Sequence, residues 1–383
     1  MAPLTGVRVV EFAAIGPVQF AGTMLADMGA DVVRIDRADR ARPPGGGGED
    51  TRLSFLDRGR RSVALDLKQS GGVEVARRLV TDADILIEGY RPGVMERFGL
   101  GPSHCHPDNP ALIYGRMTGW GQDGPYAQAP GHDINYIALA GALHAIGPRG
   151  GPPVPPLMLV GDFGGGAMML LYGIVCALLE ARSSGTGQVV DAAMVDGVSA
   201  LMGPIMGAHA AGGWSNERGT NMLDGGAHFY GVYETADGRY VAVGAIEPEF
   251  YAELLERIGL GGEELPHQMD QRSWPRMRER FAEVFATRTR DEWVELLEDT
   301  ETCFAPVLSM DEAQTHPHQQ ARNVFVEAGE GARQPRPVPR MSGRGEQVSG
   351  RAPAPGADTD TILAELGLDE VEREALRDDG AVA

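Results

Sequence analysis

Short apolar runs alternate with longer amphipathic segments through the first half of the chain. Residues 7–12 and 31–36 are rich in β-branched side chains, and the segment between them begins near Pro17 and stops at Gly29. Proline in the first turn and glycine after the last turn are typical of an α-helix. Residues 4–37 are therefore predicted to form a β-α-β unit, which indicates a parallel sheet.

The same alternation continues to about residue 191. Four more strands are predicted from apolar and β-branched runs, at 62–67, 85–88, 111–118 and 188–191. A helix is predicted over 70–81, a short apolar strand over 157–160, and long apolar helices over 163–182 and 192–211. This order predicts an α/β fold with an open parallel, Rossmann-like sheet whose ligands lie at the loops after the strands.

The pattern changes beyond residue 212. Residues 212–228 are rich in glycine and lack apolar periodicity, whereas two β-branched runs flanking Asp237-Gly238 predict a hairpin. Helical patterns follow, so this part is predicted to be a smaller α+β domain. The expected organisation is a large α/β domain, a linker, a small domain and a return segment with a C-terminal strap that packs on the large domain, at 1–211, 212–228, 229–304 and 305–383.

The charge balance limits the expected partners. The 383 residues include 54 acidic and 34 basic side chains, which give a formal net charge of -20. Such a charge disfavours a nucleic acid or an anionic membrane as the main partner, and no run of membrane-spanning length or secretory leader is recognised. Cys105, Cys176 and Cys303 form no C-x-x-C motif, which favours a reducing compartment, and a cytoplasmic protein is expected.

One stretch of the acidic chain is locally basic. Its basic residues are Arg34, Arg37, Arg40, Arg42, Arg52, Arg58, Arg60, Arg61 and Lys68. Arginine donates two parallel hydrogen bonds to phosphate, so the stretch is a candidate anion site, but a solvated loop around the Pro- and Gly-rich residues 42–48 is equally consistent. Asp36 ends a strand as in dinucleotide-binding folds, yet residues 13–18 lack G-x-G-x-x-G, so a nicotinamide site is not expected.

Two candidate bases stand before predicted helices. At the start of a helix, His132 is kept neutral by the positive end of the helix dipole. Asp162 precedes a predicted set of backbone N–H donors at a helix N-terminus, Phe163, Gly164, Gly165 and Gly166. Each glycine costs about 1 kcal/mol relative to alanine in a helix, whereas bare N–H groups there suit an oxyanion. Taken alone, either residue is also explained as a helix cap.

Together these groups predict proton abstraction next to a carbonyl. Two different bases on opposite faces of one carbon make a racemase or epimerase, whereas a single carboxylate that attacks the carbonyl makes an acyl transferase. The scheme needs no metal. The pairs His104/His106 and His316/His318 lack a carboxylate or cysteine partner at ligand spacing, so no metal site is expected.

Methionines are frequent in the middle of the chain. Flexible thioethers fill irregular gaps in a core, and they also suit a surface that accepts acyl chains of varied shape. Met202, Met206 and Met222 are therefore candidates for an acyl pocket, with ordinary core filling as the alternative.

Several blocks of the sequence resemble one enzyme family. The blocks are residues 7–37, 87–101, 117–125, 131–147, 159–166, 185–198 and 221–250. They are similar to the class III CoA-transferase superfamily, and in particular to its α-methylacyl-CoA racemase branch. The resemblance extends to about residue 328. It implies a racemase that interconverts the R and S forms of 2-methylacyl-CoA thioesters, with no cofactor besides the CoA of the substrate.

The resemblance also implies roles for single residues and an assembly. His132 and Asp162 match the two bases, and Glu247 matches a glutamate that hydrogen-bonds near the histidine. CoA contacts are implied for Ile15, Gly16, Arg37, Lys68, Arg91 and Arg97. Family members are interlocked homodimers with the active site between the large domain of one subunit and the small domain of the other.

The same resemblance leaves one alternative reaction. Transferases of the superfamily have an aspartate nucleophile at the position of Asp162, so CoA transfer between carboxylic acids through an aspartyl anhydride is the alternative. The racemase branch is distinguished by a histidine at the position of His132, which this chain has. The resemblance therefore favours the racemase.

Overall fold

The chain folds into two compact units. The computed structural model describes residues 2–41, 54–327, 333–342, 350 and 352–383. The first unit comprises Met1–Ala140, Leu157–Leu201 and Gln320–Ala383, and the second comprises Gly141–Pro156 and Met202–Gln319. Arg42, Arg52 and the glycine run of the predicted basic loop lie outside the described residues, as do parts of the predicted strap.

The first unit is built on a parallel sheet with the strand order β3-β2-β1-β4-β5-β6. The strands are β1 (Arg8–Phe12), β2 (Asp31–Arg37), β3 (Arg60–Leu65), β4 (Ile85–Glu88), β5 (Ile113–Thr118) and β6 (Val189–Ala193). The central strands are buried on both faces, which explains their nearly continuous apolar sequences. The predicted open parallel sheet is confirmed.

Helices lie between these strands, in the second unit and near the C-terminus. In chain order they are α1 (Pro17–Asp27), α2 (Ser70–Thr81), α3 (Val94–Arg97), α4 (Pro102–Cys105), α5 (Asp133–Leu139), α6 (Ala142–Ala145), α7 (Met168–Ser184), α8 (Met194–Leu201), α9 (Gly203–Ala210), α10 (Pro248–Arg257), α11 (Trp274–Phe285), α12 (Arg290–Leu297), α13 (Met310–Thr315), α14 (Pro317–Ala321), α15 (Thr359–Glu365) and α16 (Glu370–Asp378).

The segment before α7 differs from its prediction. Neither a strand over 157–160 nor a helix start at Phe163 is present; Leu159–Ala167 forms a π-helix that continues into α7. The glycines of this π-helix allow close packing, because a Cβ on Gly165 would lie only 2.6 Å from Cγ2 of Val198 in α8. An apolar run followed by glycines thus predicts a strand and a helix start, although the backbone is already helical at Leu159.

The predicted helix over 192–211 is also divided. It consists of α8 and α9, and Pro204 lies in the first turn of α9. Proline lacks the N–H that would continue the hydrogen-bond pattern of α8, so the helix stops before it. Residues 202–211 are grouped with the second compact unit.

The second unit contains a three-stranded antiparallel sheet with the order β7-β8-β9. Its strands are β7 (Tyr230–Glu234), β8 (Tyr240–Gly244) and β9 (Phe304–Pro306). The predicted hairpin is confirmed. Helices α10, α11 and α12 bury an aromatic core against this sheet, with Phe281, Phe285 and Trp293 at its centre.

The grouping of residues into two units differs from the predicted boundaries at 141–156, 202–211 and 305–319. Arg218, which lies in the predicted linker, donates hydrogen bonds to the carbonyl oxygens of His144 and Gly151. Within the same predicted linker, Asp224 accepts hydrogen bonds from the backbone N–H groups of Gly219 and Asn221. These contacts explain why residues 141–156 and 212–228 are grouped together.

The C-terminal residues contact the edge strand β3 within the first unit. Asp358 accepts a hydrogen bond from the N–H of Ser62 at 2.8 Å, and the N–H of Asp66 donates to the carbonyl of Ala381 at 2.9 Å. Covering an edge strand in this way protects it from pairing with another chain. A short hairpin, β10 (Phe325–Glu327) and β11 (Arg333–Pro335), precedes this segment.

One helical stretch among the described residues, Leu159–Ser184, is long and apolar enough by composition to cross a membrane. The prediction that no apolar run reaches membrane-spanning length is therefore wrong. In the structure 39% of an apolar 18-residue window within this stretch is buried. Core helices of soluble proteins meet the same length and composition test, so the stretch is weak evidence for a membrane span.

Candidate active site

The Asp162 carboxylate lies beside the loop that joins β1 to α1. A Cβ built on Gly16 would lie 3.0 Å from Oδ2 of Asp162, so the glycine backbone closely approaches the carboxylate. Ile15, immediately before it, is 88% exposed. The loop follows the C-terminal end of β1, which is where open α/β sheets bind ligands.

His132 is the N-cap residue of α5 and is exposed. Its backbone N–H donates to Oδ1 of Asn135 at 3.0 Å, which fixes the start of the helix. The next residue, Asp133, accepts a hydrogen bond at Oδ1 from the backbone N–H of Asp162 at 2.8 Å. The Asp133 side chain therefore links the residue next to His132 to the backbone of Asp162, although the two predicted bases are thirty positions apart in the sequence.

The environment of Asp162 favours its protonated form. Burial raises the pKa of Asp162 to about 6, the Asp133 carboxylate acts in the same direction, and His132 opposes the rise. Two carboxylates close together resist simultaneous ionisation. A carboxyl group that titrates near neutrality can both accept and return a proton at physiological pH.

Asp162 does not cap a helix with free N–H groups, and this part of the prediction is corrected. The N–H of Phe163 donates to the carbonyl of Met158 at 3.2 Å, and Met168 donates to Phe163. A π-helix pairs each N–H with a carbonyl five residues earlier, so the N–H groups of Gly164, Gly165 and Gly166 are also engaged. These glycines instead allow the close packing of the π-helix.

Two residues near the predicted bases were not identified from the sequence. Asp133 binds the backbone of Asp162, and Tyr136 is buried with its ring packed edge-on against Trp120 at 4.7 Å. Burial raises the pKa of Tyr136, the Asp162 carboxylate adds to the rise, and Arg91 opposes it, so these charges share one region. The position of Asp133 directly after His132 was the only available signal in the sequence.

A cavity of about 290 Å³ lies at the C-terminal ends of β2, β3 and β4. Its lining residues are Ile35, Asp36, Arg37, Ala38, Asp39, Leu65, Asp66, Leu67, Lys68, Tyr90, Val94 and Phe98. Two predicted CoA contacts, Arg37 and Lys68, are therefore together. Arg91 and Arg97 are both exposed. Arg91 is on the loop before α3 and Arg97 is in α3, and both are close in sequence to the lining residues Tyr90, Val94 and Phe98.

Three arginines of the predicted basic stretch, Arg34, Arg58 and Arg60, are buried rather than available to an anion. Arg60 pairs with Glu11 at 2.7 Å, and both side chains are fully buried. Arg58 pairs with Asp27 at 2.6 Å, also in the interior. Arg34 is held between two aspartates in the same way. Local sequence does not reveal these pairs, because their acidic partners are on β1, on α1 or further along the same stretch.

The second unit carries Glu247, which is exposed at the N-cap of α10. The buried Gln268 side chain donates hydrogen bonds to the carbonyl oxygens of Ala245 and Ile246, at 3.0 and 2.9 Å, and so fixes the segment before Glu247. Burial raises the pKa of Cys303, and the Glu247 carboxylate contributes to this rise. Glu247 and Cys303 are therefore neighbours.

The three candidate methionines of the acyl pocket all lie in the second unit. Met222 packs against its aromatic core, as the core-filling alternative predicts. Met202 precedes α9, and Met206, on α9, is 46% exposed. Among the described residues, no group of three or more His, Cys, Asp or Glu side chains is arranged to hold a metal ion.

Residues 4–359 match the model of CoA-transferase family III. The chain is 48% identical over 380 residues to the α-methylacyl-CoA racemase of Mus musculus, covering 99% of this chain and 97% of the relative. It is 44% identical over 377 residues to the α-methylacyl-CoA racemase of Homo sapiens, covering 98% and 96%.

A solved structure has the same fold. The crystal structure of a CAIB/BAIF family protein from Brucella suis matches with a TM-score of 0.82 at 25% sequence identity. The match covers 95% of this chain and 99% of the other. The likeness therefore extends over both compact units and is not confined to the parallel sheet.

Proposed function

The chain belongs to CoA-transferase family III, and from this membership we propose that it is a racemase that interconverts the R and S forms of 2-methylacyl-CoA thioesters. Identities of 48% and 44% over nearly the full length of two α-methylacyl-CoA racemases support this assignment. The observation that supports it within the structure is the hydrogen bond from the N–H of Asp162 to Asp133, the residue next to His132.

The reaction exchanges the proton on C2, the carbon next to the thioester carbonyl. One base removes this proton, the electrons delocalise into the carbonyl as an enolate, and the other base supplies a proton to the opposite face. His132 and Asp162 are the two proposed bases. The pKa of Asp162, raised to about 6 by burial, suits a group that must act as a base in one direction and as an acid in the other.

The CoA part of the substrate is proposed to bind in the cavity at the C-terminal ends of β2, β3 and β4. Arg37 and Lys68 line this cavity, and Arg37 is exposed with its guanidinium paired to Asp39. Arg91 and Arg97 are proposed to contact phosphates or adenine from the neighbouring loop and helix. The backbone at Ile15 and Gly16 would contact the thioester arm close to Asp162, and no separate cofactor is needed.

The protein is proposed to act as a homodimer. The exposed side of α7 carries a row of apolar side chains at helical spacing, Met168, Tyr172, Val175 and Leu179. An apolar row of this kind is typical of a surface covered by another subunit. Glu247 keeps its proposed role as a hydrogen-bonding partner of the catalytic histidine in the assembled dimer, and Met202 and Met206 their proposed role in the acyl pocket.

A cytoplasmic location without a membrane partner is also proposed. The net charge of -20 disfavours adsorption to anionic lipid. The three cysteines are free, with Cys105 buried and the other two exposed. Exposed thiols that have not formed disulfides are typical of a reducing compartment.

Incubation of a pure 2S thioester in heavy water tests the reaction. We expect deuterium at C2 and formation of both epimers, with racemisation reduced at least about 100-fold in H132A and D162N. Retained stereochemistry without exchange would contradict the racemase. A hydroxylamine-sensitive anhydride on Asp162, with full activity in H132A, would instead favour CoA transfer between carboxylic acids.

A further inference from the structure

We propose that Asp133 is a positioning residue for the reaction, because its buried carboxylate fixes the backbone of Asp162 and places a negative charge beside it. The inference rests on the proposed function of Asp162 as one of the two bases. Asp133 need not contact the substrate directly for this role. Its effect is exerted through the position of Asp162 and through the proton affinity of that residue.

A hydrogen bond from its own N–H to Asp133 holds the backbone of Asp162. The first π-helical bond is donated by Phe163 to Met158, so the N–H of Asp162 precedes the repeating pattern. Asp133 supplies its acceptor, with Oδ1 2.8 Å from the nitrogen of Asp162. Asp133 is only 9% exposed, so water is a poor substitute. A buried donor left without an acceptor costs about 1–3 kcal/mol, which would favour movement of Asp162.

The Asp133 carboxylate occupies the space beside Gly161 that a side chain would fill. A Cβ on Gly161 would lie 2.3 Å from Oδ1 and 2.8 Å from Cγ of Asp133. The glycine before Asp162 therefore leaves room for the Asp133 carboxylate. Any larger residue at position 161 would displace either α5 or the π-helix.

The charge of Asp133 also acts on the Asp162 carboxylate. The charged and titratable groups around Asp162 are Asp133, His132, Tyr136 and Arg91. Arg91 interacts electrostatically with Tyr136. The packed faces of α1 and α8 present Gly16, Phe20 and Val198, which carry no charge. Burial raises the pKa of Asp162 first, and the Asp133 charge is the largest contribution from a neighbouring group.

The variant D133N separates position from charge, because asparagine keeps an acceptor oxygen of the same reach. Asp162 must be ionised to accept a proton, so exchange through Asp162 falls as the pH drops through its pKa of about 6. Without the charge of Asp133 that pKa falls. We therefore expect the acidic limb of the pH–rate profile to move to lower pH by about one unit.

The measurement is the rate of deuterium incorporation from each pure epimer across the pH range, with unfolding temperature as a check on the fold. D196N removes an exposed carboxylate from α8 and serves as the control, with no shift expected. D133A removes both acceptor and charge and is expected to lower the exchange rate about tenfold or more. If D133N does not fold, D133S, which also lacks the charge but has a shorter side chain, tests the shift of the acidic limb alone.

An acidic limb that does not move, or that moves to higher pH, in D133N would overturn the inference. The result is separable from the proposed function. Loss of exchange in D162N with an unchanged D133N profile rejects only the role of Asp133. Full exchange from both epimers in D162N rejects the assignment of Asp162 itself.

Discussion

The backbone of Gly16 and the carboxylate of Asp162 are so close that a methyl group on Gly16 would lie 3.0 Å from Oδ2. Gly16 has a φ of +69°, a conformation that residues with a Cβ rarely adopt. The loop after β1 thus meets the π-helix at the proposed base. This contact makes the local backbone, rather than a side chain, one wall of the proposed site.

G16A is expected to lower both stability and activity. The backbone of Gly16, with φ of 69° and ψ of -107°, costs about 1–3 kcal/mol for a residue with a Cβ, and the added methyl group presses on Asp162. G99A is the matched control, because Gly99 has the same φ of +69° and open space where a Cβ would lie. Denaturant unfolding should give similar losses for both variants, while only G16A reduces C2 exchange. Equal exchange rates in the two variants would contradict the proposed wall.

The proposed CoA site predicts a substrate-dependent effect of K68A. Loss of one exposed cation that contacts phosphate costs about 1 kcal/mol, so KM for acyl-CoA should rise about fivefold with little change in kcat. A thioester of N-acetylcysteamine lacks the nucleotide and should show no change. R78A removes a cation on α2, where Arg78 pairs with Glu74, and is the control. A similar KM increase for the truncated thioester would reject the assignment.

The parallel sheet could be predicted because its buried strands are apolar runs separated by recognisable helix ends. Pro17 and Gly29 marked α1 correctly to within about two residues. The π-helix could not be predicted in this way, because hydrogen bonds to the fourth or the fifth residue leave similar apolar spacing over two turns. The apolar run before Asp162 is followed by glycines, and this pattern predicts a strand instead.

The candidate site was predictable only in part. His132 and Asp162 were found because their residue types suit proton transfer, but the link through Asp133 is a contact between residues distant in sequence. The buried partners of Arg58 and Arg60 were missed for the same reason. Local sequence shows that an arginine is present, whereas its partner depends on which strands become neighbours.

Glu88 predicts a pH-dependent component of stability. Burial raises the pKa of Glu88 to about 7, although the N–H of Tyr90 and the guanidinium of Arg116 favour its ionised form. The folded protein then binds this proton more tightly than the unfolded chain. The stability from this group is therefore present below pH 4.5 and lost as the pH rises to about 7.

E88Q should remove that component. The unfolding temperature of the variant relative to the unmodified protein should rise between pH 4.5 and about pH 7. E74Q, at an exposed residue of α2, is the control and should leave the difference constant. A constant difference for E88Q as well would show that Glu88 is ionised throughout this range.

The buried Glu11–Arg60 pair predicts a large loss of stability in R60M. Both side chains are fully buried, so removing Arg60 leaves the Glu11 carboxylate without its cation, at a cost of about 3–5 kcal/mol. R61M is the neighbouring control, because Arg61 forms partly exposed pairs with Asp31 and Glu365 that are worth at most about 1 kcal/mol. Urea unfolding measures both. Equal losses would indicate that Arg60 contributes mainly through packing.

The apolar row on α7 predicts that one added charge prevents dimer formation. Leu179 is 66% exposed in the single chain, and a carboxylate in its place would have to be desolvated against another subunit. L179E should therefore be monomeric by light scattering at concentrations where the unmodified protein is a dimer. S183E adds the same charge at an exposed polar position near the end of α7 and should remain dimeric. A dimeric L179E would show that this row lies outside the interface, and a monomeric unmodified protein would reject the homodimer.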